Sequence, residues 1–161
     1  MAGTIITLRN EIERIIGLMT NITYLRGSRS EANMALDKLA VGSGCIAIHT
    51  DQSTATAIAP SAGGTYLYKN IPTEILFVYK NTKMDDKLYA VDSLVDAAEQ
   101  QADEFYDHLI QSVVFSKYPA LPGYDCQRLE AHKISDTILS GVLFTCLVPV
   151  DKNTYICDFP N

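Results

Sequence analysis

Between Asp85 and about Val113 the chain carries one stretch that leaves little freedom of fold. Leu88, Val91, Val95, Ala98, Ala102, Phe105, Leu109 and Val113 recur every three or four positions, the spacing of one face of an α-helix. The other faces hold Asp85, Asp86, Asp92, Asp96, Glu99, Asp103, Glu104 and Asp107, eight of the chain's 19 acidic residues, against a single base at Lys87. Such a helix lays its apolar stripe on a core and turns its acidic ridge to water or to a partner. Everything else in the chain has to supply the surface that this stripe covers.

A first helix is expected after Thr4 or Thr7, with Leu8, Ile12, Ile15, Ile16 and Met19 on one stripe and Glu11 and Glu13 in the half where the helix dipole favours acids. The pattern breaks from Asn21 to Ser28 with Gly27 as a hinge, and a short second helix runs from about Ser30 to Leu39. Cys45 to His49 reads as a strand, followed by a long mobile loop or loose hairpin tip at about 50–65. Tyr66 to Ile71 and Glu74 to Lys80 read as two strands separated by Pro72, which cannot donate to a ladder. Tyr118 to Gly123 cannot stay helical, and two strands follow, about Cys126 to Ile134 and Ile138 to Val148. The fold class is α+β: an antiparallel sheet of about five strands, with the long helix and the N-terminal helices packed on one face. The 161 residues make one domain, 1–161, ending in a tail at about 151–161.

The last strand is apolar on both faces. Ile138, Val142, Phe144, Cys146 and Val148 alternate to one side and Leu139, Leu143 and Leu147 to the other, so both sides need cover, from this chain or from a second subunit. Tyr155 and Phe159 make the tail too apolar to stay in water, and it is expected to dock. On the long helix Asp92, Asp96, Glu99 and Asp103 are surface neighbours. A solvated ridge is the plain reading; the sharper one is an acidic surface meeting a basic rim on a neighbouring subunit.

Catalytic patterns are missing from the sequence. Gly42-Ser43-Gly44 precedes a strand, Gly63-Gly64 is followed by no Lys-Ser or Lys-Thr, and neither makes a phosphate cradle. Cys45, Cys126, Cys146 and Cys157 lack zinc spacing and read as buried thiols in a reducing compartment. His49 with Cys45 and Asp51, and His132 with Arg128 and Glu130, each share a strand face, and ordinary hydrogen bonding accounts for both. No catalytic residue, cofactor or metal is therefore expected, nor an enzyme. A net charge of -6 argues against direct nucleic-acid binding, no apolar run suits a bilayer, and the first residues lack a signal-peptide pattern.

The order of elements, with the strings Ala97-Ala98-Glu99, Phe105-Tyr106-Asp107-His108-Leu109 and Ser140-Gly141-Val142-Leu143-Phe144, resembles tail terminator and tail completion proteins of tailed bacteriophages and related contractile particles. The resemblance implies a homo-oligomeric ring, commonly a hexamer, that caps the tail tube, stops its polymerisation and meets the head connector. It places the protein in the virion, assembled in the host cytoplasm. The residues leave two other readings open. One is an acidic binding module, an immunity protein or nucleic-acid mimic, acting through the ridge of the long helix. The other is a small-ligand domain with Tyr66, Tyr68 and Tyr79 lining a pocket between sheet and helix.

Overall fold

The computed structural model describes residues 4–27, 34–36, 38–39, 44–50, 56–58, 68–81, 88–112, 123–134 and 137–151. In chain order the elements are α1 (Thr4–Leu18), β1 (Ile22–Gly27), β2 (Cys45–Thr50), β3 (Thr56–Ile58), β4 (Tyr68–Asn81), α2 (Leu88–Ile110), β5 (Asp125–Ile134) and β6 (Thr137–Asp151). Five strands lie side by side in the order β1-β2-β4-β6-β5, and β3 joins β4 beyond the end of β2. The α+β architecture is as expected from the sequence. The sheet is mixed, because β1 lies parallel to β2 while every other pairing is antiparallel.

The centre of the sheet is the pairing of β4 with β6, in unbroken register from Tyr68↔Asp151 to Asn81↔Ile138. It overturns the reading of two strands split at Pro72. Proline lacks an N–H, so Pro72, opposite Leu147, cannot join a hydrogen-bonded pair of an antiparallel ladder. It belongs to a non-hydrogen-bonded pair, and so does Pro149 opposite Asn70, two positions along and in the same phase. The nitrogen of Pro72 then faces the other neighbour of β4, where β2 pairing stops at Ile75 and β3 pairing starts at Asn70. A proline is tolerated in this central strand because no partner there needs its hydrogen.

One face of the sheet carries both helices. Leu8, Ile12, Ile15, Ile16 and Met19 of the first stripe are buried, as are Val95, Ala98, Ala102, Phe105 and Leu109 of the second. They close on Cys45, Ala47, Ile71, Ile75, Phe77, Val142, Phe144, Cys146 and Val148. At the centre Phe105 and Phe144 meet edge to face at 5.3 Å, and Phe77 lies 5.6 Å from Phe105, a geometry favoured by the ring quadrupoles. Leu88, Val91 and Val113, which the sequence also places on the stripe, have side chains outside the described set.

Three local features depart from the sequence reading. Residues 22–27 are a strand and not a hinge. Positions 34–36 and 38 are helical, but Leu36 and Leu39 pack against Ile46, Ile48, Val78 and Leu139, on the face opposite α1 and α2. Within the expected loop, Thr56–Ile58 pairs with 68–70 as β3, and 51–55 and 59–65 lie outside the described residues. Beside these, β5 has an extra residue between Leu129 and His132. The two-residue alternation that put Arg128, Glu130 and His132 on one face does not run through that bulge.

Gly141 sits where β6 crosses closest to β4. A Cβ there would run into the carbonyl oxygen of Phe77 and lie 2.7 Å from Val78 Cα, both backbone atoms that cannot step aside. Gly141→Ala should lower stability by about 3 kcal/mol, read from the urea midpoint, with near wild-type values counting against so tight an approach.

An ionic clasp joins α1 to the end of α2. Glu11, 7% exposed, accepts hydrogen bonds from Arg14 Nε at 2.9 Å, from an Arg14 terminal nitrogen at 2.6 Å and from Ser112 Oγ at 2.6 Å. The Arg14 hydrogen bonds, aided by Ser112, hold the Glu11 carboxyl below its ordinary 4.5 against the opposing effect of burial. A lowered folded pKa gives stability that is present above 4.5 and lost as pH falls through the folded value. Thermal unfolding from about pH 5 to about pH 3 should show a smaller loss of Tm in Glu11→Gln than in the wild type. Equal slopes would mean that the clasp carries no pH-dependent stability.

Candidate interaction surfaces

The acidic ridge of α2 is built as the sequence predicts and then partly answered by β5. Asp92, Asp96 and Asp103 are exposed and Glu99 is half-buried. Arg128 reaches across from β5 and donates to Asp96 at 2.6 Å and to Glu99 at 3.0 Å. The Tyr124 hydroxyl donates to Asp103, a bond that raises the pKa of the phenol. The Tyr124 ring stacks on Phe144 at 5.1 Å and approaches Tyr106 at 4.5 Å, so this contact is anchored in the core. The ridge is thus a braced surface in which a cation lies between two of its four acids. Sequence reasoning placed Arg128 on a polar strand face without its partners, because the 29 and 32 positions between the partners are bridged only by the fold.

The second face of β6 divides into a covered and an open end. Leu139 is fully buried beneath the Leu36 cluster, so its cover comes from within the chain and it does not face a neighbour. Lys80 fixes that cover, its Nζ donating to the carbonyls of Leu36 and Leu39 at 2.9 Å each. Leu143 is half-buried and Leu147 is 42% exposed. Tyr155 and Phe159 lie outside the described residues.

Around Leu147 the register creates a distinctive edge. β5 pairs with β6 only as far as Asp125↔Thr145, whereas β6 continues to Asp151 on its β4 side. From Cys146 to Asp151 the outer edge of β6 has no partner among the described residues. A depression of about 220 Å³ opens there, lined by Pro72, Glu74, Asp125, Thr145 and Leu147 among others. Glu74 and Asp125 both pair with Thr145, so two carboxylates flank one position beside an exposed leucine.

Of the other groups singled out by sequence, the side chains of Glu130 and His132 and the whole of Cys157 lie outside the described residues. His49 is buried, with Nδ1 2.9 Å from the Tyr24 hydroxyl, while Asp51 lies outside the described residues. Burial pushes the thiols of Cys45 and Cys146 up to about 12 and that of Cys126 up to about 11, far from the thiolate form that nucleophilic or metal chemistry needs. Tyr79 is held up at about 12 by burial beside Cys45, in the packed core and not in a pocket under the helix. Of the other two tyrosines expected there, Tyr68 is described only as backbone in β4, and Tyr66 lies outside the described residues. No helix among the described residues is long and apolar enough to cross a membrane. Comparison with protein-family models, curated proteins and solved structures finds no match.

The two ends of the leucine face should respond differently to truncation. Leu139→Ala should cost about 2–5 kcal/mol, as cavity-forming core changes do. Leu147→Ala should cost under about 1 kcal/mol in the isolated chain. Urea unfolding of the two variants measures the contrast, and equal losses would mean that Leu147 is covered within the chain.

Proposed function

We propose that this protein is a structural assembly component that works through its surfaces, without catalysis, by joining copies of itself into a ring. The observation that carries the reading is the apolar end of β6: an exposed Leu147 on a strand edge that has no partner among the described residues, beside Glu74 and Asp125. Exposed apolar surface with a polar rim is characteristic of interaction sites. A head-to-tail ring needs two different patches on each subunit, and the two ends of this sheet differ in chemistry. On the resemblance to tail terminator and tail completion proteins, the ring caps a phage-type tail tube in the virion, is assembled in the host cytoplasm, and faces the head connector. Arg128 between Asp96 and Glu99 dilutes the charge of the helix ridge, which counts against the ridge as a stand-in for a phosphate backbone.

Light scattering over a dilution series tests the reading. A defined ring-sized species is expected, and electron microscopy with tail tubes should place it at tube ends. A strict monomer at every concentration overturns ring formation by this chain. Leu147→Lys should raise the concentration of half-assembly by about tenfold or more, while an unchanged value would remove the open end of β6 from the contact.

A further inference from the structure

We draw no further inference here: the strongest candidate, the apolar sheet face at the end of β6 where Leu143 and Leu147 lie beside Glu74 and Asp125, carries nothing because nothing in the structure shows what covers it.

Discussion

The phase of the β4·β6 ladder governs the rest of this molecule. Its 14-residue β4 pairs along its whole length with β6, and β2, β3, β5 and α2 are placed against that pair, with β1 added outside β2. A one-residue slip of β4 would turn Phe77 to the opposite face and bring Leu76 under the helices, and a slip of β6 would do the same with Phe144 and Leu143. Either slip would also bring the proline of the slipped strand, Pro72 or Pro149, into a hydrogen-bonded pair that it cannot complete. Register is therefore held twice, by apolar alternation and by two missing donors. Gly141 adds a third constraint in steric form, since only a residue without Cβ lets the strands cross at Val78. The β5 bulge begins at Leu129, the partner of Gly141, so the close approach of β6 to β4 and the irregularity of its other neighbour meet at one residue.

The helices are fastened to this sheet by apolar burial first and by charge second. The stripes of α1 and α2 share one core, with Phe105 and Phe144 fully buried. Polar contacts then hold positions along the helices. Glu11 ties α1 to Ser112 just past α2, and Arg128 and Tyr124 tie the outer side of α2 to β5. The Arg128 contacts are exposed, where water weakens them, and the Tyr124 contact gains from the stacking of its ring on Phe144. Their shared effect is to keep the acidic ridge in one orientation relative to the sheet.

How much was legible in the sequence follows from the range of the interactions involved. The stripes of α1 and α2 were readable because a helix period repeats within a few residues, and the two-sided apolar character of β6 because alternation does the same. The strand Ile22–Gly27 was missed: six residues with polar Thr23 and Arg26 carry too little alternation beside Gly27 to separate a strand from a break. Pro72 was read locally as an interruption, although its tolerance depends on the gap between β2 and β3 on the far side of β4. Glu11 reads as a helix-dipole residue, and its hydrogen bond from Ser112 spans 101 positions. Nothing local in β6 distinguishes Leu139, which the chain covers, from Leu147, which is exposed.

That last pair bears most directly on what the protein does. A monomer protecting itself from edge-to-edge aggregation places lysine or proline at an open strand end. This chain has the proline, at 149, and two positions earlier keeps a leucine that is 42% exposed. Leu147 spends apolar surface in water without helping the isolated fold, while Pro149 limits which strands can pair beside it. A purely defensive edge has no use for the first feature, and an edge open to any strand has no use for the second.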